Sequence, residues 1–288
     1  MPTVDIHQHL WPEQLVELLG RRRRPPRLSG SVLELAGERK SEIDLSAHRL
    51  EVRLALLDRC EIEVAVVSLP PTLGIDGLPE DERAELVAAY EQGILELSAT
   101  SGGRLVPLAA GSAVEGFVGA CVGALELLDL DRLAPRLDEL ERRRAFLFVH
   151  PGPAHPPDGA PAWWPAVVEY TAQMQSAYAM WLARGAERWP GLRVVFAILA
   201  GGGPFQLERL ISRGVSGRGL LHENVFFETA SYGRRALDLC LATFGVGQLL
   251  FGSDAPVIDP EPTLEAVRGF GDAVATALCN VNPTRLLS

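Results

Sequence analysis

Eight short apolar runs, each followed by a longer stretch, recur along the whole chain and restrict the folds open to it. They are Thr3–Ile6, Glu63–Leu69, Arg104–Ala110, Phe117–Val122, Ala145–Val149, Leu192–Leu199, Asn224–Glu228 and Gln248–Phe251. Most are continuously apolar rather than alternating, the pattern of parallel strands covered on both faces. Between them lie segments with apolar spacing at the helical period: Arg49–Cys60, Pro79–Thr100, Leu130–Arg143, Tyr170–Arg188, Pro204–Gly214, Gly233–Phe244 and Pro262–Asn280. Strand and helix alternating through 288 residues outline an α/β protein, a single (β/α)8 barrel over residues 1–288. A doubly wound open sheet is the structural alternative, but its first strand would often lead into a Gly-rich nucleotide turn. Here the first run leads into Asp5-Ile6-His7-Gln8-His9.

Two segments interrupt the alternation. Residues 20–45 are polar and rich in Arg, Pro and Gly, and read as an excursion over one barrel face. Residues 151–164 carry five prolines and the pair Trp163 and Trp164 directly after the fifth run. Both follow strand ends, where loops of this fold build the active site.

The residues at the strand ends carry the chemistry. The first run leads to His7 and His9, the fifth to His150 and the eighth to Asp254, so three of the six histidines stand at such ends. In an extended strand residues i and i+2 share a face, which lets His7 and His9 reach one ion. Imidazole nitrogen suits zinc and similar ions. Three imidazoles and a carboxylate make a compact set with room left for water or substrate, the arrangement of a catalytic site. Taken singly, each histidine also reads as a hydrogen-bonding rim residue and Asp254 as a helix cap. Four unrelated roles would then have to coincide on one rim.

Charge and cysteine usage exclude several classes. A formal net charge of −10 argues against a nucleic-acid surface, and the one basic cluster, Arg21 to Arg24, reads as a solvated loop. No apolar run of about 18 residues is present to span a membrane. The first ten residues hold two histidines where a secretory signal needs an apolar core. Cys60, Cys121, Cys240 and Cys279 lie far apart without a CxxC pair, as reduced thiols of a cytoplasmic protein do.

With these residues in place, the sequence resembles the amidohydrolase superfamily, and within it the amidohydrolase-2 group that includes aminocarboxymuconate semialdehyde decarboxylases. The matching stretches are Val4–Leu10, Arg53–Asp58 with Val64–Ser68, Phe148–Pro151, Trp189–Ala197, Phe251–Pro256 and Asn282–Leu287. The resemblance implies a distorted (β/α)8 barrel with one divalent metal, usually Zn2+. Its ligands would be the HxH pair, the histidine after the fifth strand and the aspartate after the eighth, which match His7, His9, His150 and Asp254. It also implies a small-molecule substrate and often a homodimer.

One departure bears on the reaction. Relatives with decarboxylase or hydrolase chemistry carry a histidine after the sixth strand, in a His-Ala-Gly-Gly or His-Gly-Gly-Gly segment. Here Phe196 to Phe205 places Leu199 or Ala200 there, and no histidine lies between His155 and His222. What is lost is a general acid or base, a role contributing about 10²–10⁴-fold. Asp254 and Glu228, at the end of the seventh strand, are the candidates to replace it, with a salt-bridged rim role the other reading of Glu228. His222, before the seventh strand, reads as remote. His155, Trp163 and Trp164 in the Pro-rich loop are candidate substrate contacts, against plain packing or exposure. In the resembling group, basic residues near His48 and Arg49 hold a substrate carboxylate, and Arg49 is the candidate for that contact. Arg53 reads as a helix-surface or structural residue. The intact ligand set ranks a hydrolase of an amide, ester or lactone first. A non-oxidative decarboxylase or other lyase comes second, and a catalytically silent barrel third.

Overall fold

The computed structural model describes residues 3–111, 115–215 and 222–288. Eight parallel strands form: β1 (Val4–His9), β2 (Val64–Ser68), β3 (Leu105–Pro107), β4 (Gly119–Gly123), β5 (Phe146–His150), β6 (Arg193–Phe196), β7 (Val225–Glu228) and β8 (Leu249–Leu250). They pair in chain order, β1 to β3 in one sheet and β4 to β8 in another. Two narrow seams join the sheets into a distorted (β/α)8 barrel. Ala109 bridges to Ala120 beyond β3, and Gln8 of β1 bridges to Ala255 beyond β8. The Ile6 N–H donates to the Phe251 carbonyl at 3.1 Å, which extends the second seam.

The apolar runs become strands because both of their faces are covered. Every residue of β5 is buried, and Phe146, Phe148, Phe196, Phe226, Phe227 and Phe251 are fully enclosed. Each such side chain contributes about 1.5–3 kcal/mol by leaving water. All four cysteines are free and buried in this core. The helices form where the sequence placed apolar stripes. In Leu130–Arg143 the buried face is Leu130, Leu133, Leu137 and Leu140, and the Asp129 carboxylate caps it by accepting from the Arg132 N–H.

Three features depart from the expected outline. The helix Glu13–Arg21, burying Leu15 and Leu19, follows β1 directly. The excursion after it is ordered, folding into an antiparallel sheet of Arg27–Ser29, Val32–Glu34 and Ser41–Glu42. The sixth run stops short at Phe196, because Ile198, Leu199, Ala200, Gly201 and Gly202 all take positive φ, between 45° and 91°. Left-handed backbone costs about 1–2 kcal/mol at each non-glycine residue. At Gly201 a Cβ would lie 2.1 Å from the Thr171 carbonyl oxygen, so only glycine fits there. No helix among the described residues is long and apolar enough to cross a membrane.

Candidate metal centre and its cavity

His7 and His9 leave β1 on one side even though the register with β2 shifts between Asp5 and Gln8. His150 ends β5, and Asp254 stands just beyond β8 in the left-handed region (φ 68°), which aspartate tolerates better than most residues. The Asp254 N–H donates to the His7 carbonyl at 2.8 Å, tying the end of β8 to β1. The three imidazole centroids lie 5.0 Å from one another, with ring planes crossing at 84°, 87° and 82°. One donor atom from each of His7, His9, His150 and Asp254 falls within 4.8 Å of all the others. His9 Nε2 is 3.1 Å from Asp254 Oδ1, and His7 Nε2 is 3.5 Å from it.

The outer nitrogens show that this set suits a cation. His7 Nδ1 faces Glu228 Oε2 at 2.9 Å, His9 Nδ1 faces the Ser68 carbonyl at 3.2 Å, and His150 Nδ1 faces the Pro151 carbonyl at 2.9 Å. A carbonyl or carboxylate only accepts, so Nδ1 carries the proton at His7 and His150 and Nε2 is left as a bare lone pair; at His9 the Ser68 hydroxyl, also 3.1 Å from Nδ1, can turn to accept beside the carbonyl, which gives the same tautomer. His7 Nε2 and His9 Nε2 lie 3.3 Å apart. Two lone pairs that close, buried and unprotonated, repel unless a cation sits between them.

Without an ion, protons answer the same demand. Burial works to lower the His7 pKa, but the Glu228 and Asp254 carboxylates overcome it and raise the value to about 9. Burial dominates at His9 and His150, whose pKa values fall, that of His150 far below the ordinary histidine value. Burial raises Asp254 as well, but the surrounding imidazoles bring it below the usual carboxylate value.

A buried lattice holds this arrangement from behind. The Asp5 carboxylate accepts from the His7 N–H, the Gln8 amide, the Ser253 N–H and the Ser253 hydroxyl. The Arg53 guanidinium, 1 % exposed, donates to Gln8 Oε1 and to the carbonyls of His9 and Ala47. Arg53 is thus structural but interior rather than on a helix surface. Gln173 fixes the loop after His150, accepting from the Gly152 N–H and donating to the Pro153 carbonyl.

The cluster opens into a cavity of about 490 Å³, within the usual range for a small-molecule site. His9, His150 and Asp254 form part of its wall. The rest is largely apolar, with Trp11, Leu33, Leu35, Ile43, Leu73 and Val257, beside polar His48, Thr72, Tyr170, Glu42 and Asp44. Leu33, Leu35 and Ile43 come from the excursion after β1.

The other sequence candidates fall elsewhere. Glu228 is fully buried behind His7, accepting from the His7 imidazole, the Ile198 N–H and the Ala230 N–H. It backs the His7 imidazole from the far side and does not line the cavity. Arg49 is outside the cavity, 67 % exposed, and pairs with Glu51. The turn Leu45–His48 directs His48 inward and leaves Arg49 at the start of the next helix. His155 is exposed, its N–H bonded to Glu169. Trp163, 57 % exposed, stacks on Trp164, and neither lines the cavity, where Leu33, Leu35 and Ile43 of the excursion stand instead. Leu199 and Ala200 are buried in the left-handed turn and bring no polar group to the cavity wall. Sequence reasoning missed Trp11, Thr72 and Tyr170, which only the three-dimensional fold gathers, and underweighted His48.

A family model described as Amidohydrolase matches residues 4–288. The chain belongs to the amidohydrolase family. It is an enzyme of the metal-dependent kind found in that superfamily. Among curated proteins, none matches this amidohydrolase in sequence. Solved structures match it in fold. IDCase from Metarhizium anisopliae aligns with a TM-score of 0.80 at 22% identity, over 99% of this chain and 97% of that one. The 2,6-dihydroxybenzoate decarboxylase from Rhizobium gives 0.75 at 16%, over 100% and 98%. The 5-carboxyvanillate decarboxylase from Novosphingobium aromaticivorans, complexed with manganese and 4-hydroxy-3-methoxy-5-nitrobenzoic acid, gives 0.77 at 14%, over 99% and 96%. At such identities the likeness establishes the fold.

Proposed function

We propose that this amidohydrolase is a non-oxidative decarboxylase of a small aromatic or unsaturated carboxylic acid. The observation that carries the reading is the place of Asp254. Of the carboxyl groups on the cavity wall, Glu42, Asp44 and Asp254, it alone belongs to the ligand cluster. Decarboxylation asks one proton-carrying group to meet one carbon, and the apolar walls keep water from competing for it. The decarboxylases of similar fold support the same reading.

His7, His9, His150 and Asp254 would hold the ion, zinc by the nature of the three imidazoles or manganese as in the Novosphingobium relative. When bound, the ion supplies a Lewis acid that anchors a substrate oxygen. Glu228, Ser68 and the Pro151 carbonyl keep the imidazoles turned inward. Asp254, ionised at rest among the imidazoles, would take one proton from solvent once the substrate is bound and relay it. As the bond between the ring carbon and the carboxylate breaks, its electron pair stays on that carbon, takes the Asp254 proton, and carbon dioxide leaves. The apolar wall holds the rest of the substrate. Four buried thiols suit a reducing compartment such as the cytoplasm, and a homodimer is the assembly expected of the group.

One observation favours the second reading, hydrolysis of a neutral amide, ester or lactone. No lysine or arginine stands among the described residues lining the cavity, so no side chain offers a carboxylate a fixed cation. The test is metal-loaded protein incubated in deuterated water with a panel of hydroxybenzoates and unsaturated acids, and separately with esters and lactones. Release of CO2, with one deuterium on the carbon that lost it and a loss of at least about 100-fold in Asp254→Asn, supports decarboxylation. Turnover of the esters or lactones alone overturns it.

A further inference from the structure

We propose that His48 is the substrate-orienting residue of the cavity, donating from Nε2–H to an oxygen on the substrate away from its carboxylate. The inference rests on the aromatic-acid reading and narrows the substrate to one that carries such an oxygen.

The geometry fixes both the ring and its proton. The imidazole stacks on the Trp11 indole, with centroids 4.7 Å apart and planes 9° from parallel. The Trp11 backbone N–H donates to His48 Nδ1 at 3.1 Å. That nitrogen must therefore hold a lone pair, and in the neutral ring the proton is on Nε2. Nε2 has no hydrogen-bond partner among the described residues, yet it is not a sealed orphan like the Trp11 indole nitrogen. The side chain lines the cavity while only 8 % exposed. Burial and the nearby Arg53 guanidinium push the His48 pKa down to about 3, so the ring stays neutral and keeps one proton.

The other polar groups on this wall do not do the same work. Thr72 and Tyr170 carry hydroxyls that rotate to suit either partner. Glu42 and Asp44 accept rather than donate, and repel a second carboxylate. A rigid, neutral donor on a cavity wall whose described residues include no lysine or arginine favours a phenol, ether or nitro oxygen over another acid group. It is also the one histidine the chain brings to the cavity apart from the ligand set, where the sixth strand offers none.

Two measurements decide the proposal. Imidazole nitrogen NMR of the zinc-loaded wild type is expected to show His48 with Nε2 protonated and Nδ1 bare; the opposite tautomer overturns the proposal. Titration of the same protein with benzoate and with 4-hydroxy-3-methoxy-5-nitrobenzoic acid is expected to favour the substituted acid by about tenfold. In His48→Asn, whose side-chain oxygen still accepts from Trp11 but which has no donor at the Nε2 position, that preference is expected to collapse. An unchanged preference removes the inference alone. Failure of both acids to bind wild type removes the acid substrate and the inference together.

Discussion

Replacing Glu228 by Gln changes one atom and tests whether a residue outside the cavity sets the metal centre. The Glu228 carboxylate accepts at Oε2 from His7 Nδ1 (2.9 Å) and Ile198 N (3.1 Å), and at Oε1 from Ala230 N. A glutamine keeps the volume but has a single oxygen. With that oxygen at the Oε2 position, the amide nitrogen opposes the Ala230 N–H, donor against donor; turned over, it opposes two donors. The better orientation therefore leaves one buried N–H unpaired, at about 1–3 kcal/mol, or very roughly 2–12 °C in the melting temperature of a chain this size. His7 keeps a hydrogen bond but loses its anionic partner, a change that costs about 10–100-fold in metal affinity at comparable sites. Competition with a chelator for zinc or manganese, alongside thermal unfolding of the metal-free protein, reads both effects. Affinity within about twofold of wild type would refute the orienting role, even if stability fell.

Further expectations follow from the same contacts. A Cβ at Gly252 would lie 2.5 Å from Glu228 Cγ, so Gly252→Ala should displace Glu228 and weaken metal binding although every ligand is intact; unchanged affinity in the chelator assay would contradict this. Arg53→Met strands the Gln8, His9 and Ala47 oxygens that Arg53 now serves, and chemical denaturation should show a loss of about 1–3 kcal/mol for each oxygen left unpaired. His48 has a folded pKa of about 3 against an ordinary value of 6.5. The unfolded chain thus takes up a proton that the folded chain refuses, so this contribution to stability is full above pH 6.5 and is lost as pH falls toward 3. The acid limb of the stability curve should be shallower in His48→Asn by about 1.4 kcal/mol per pH unit, and parallel curves for the two proteins would refute it.

The barrel was legible because burial on both faces writes itself into sequence as continuous apolar runs. All eight runs overlap a strand, even the two-residue β8. The clustering of His7, His9, His150 and Asp254 was legible for a related reason: polar residues that end such runs in Asp5-Ile6-His7-Gln8-His9 and Phe148-Val149-His150 have few structural explanations. What stayed hidden depends on contacts distant in sequence. Nothing near Glu228 says whether it faces the cavity or the back of His7, since that depends on the turn Ile198–Gly202 supplying a donor from another strand. His48 and Arg49 are neighbours of similar chemistry, and only the short turn Leu45–His48 decides which of them enters the cavity. The excursion's polar composition concealed a small sheet, in and beside which Leu33, Leu35 and Ile43 supply cavity wall that Trp163 and Trp164 do not.

Metal content of the reconstituted protein decides whether the four side chains hold an ion. Wild type loaded with zinc or manganese and freed of excess should retain about one ion per chain, and His150→Ala and Asp254→Ala, folded by circular dichroism, should each retain less than about a tenth of that. Full occupancy in both variants, or a wild type that stays far below one equivalent, would show that His7, His9, His150 and Asp254 do not form the metal centre of this enzyme.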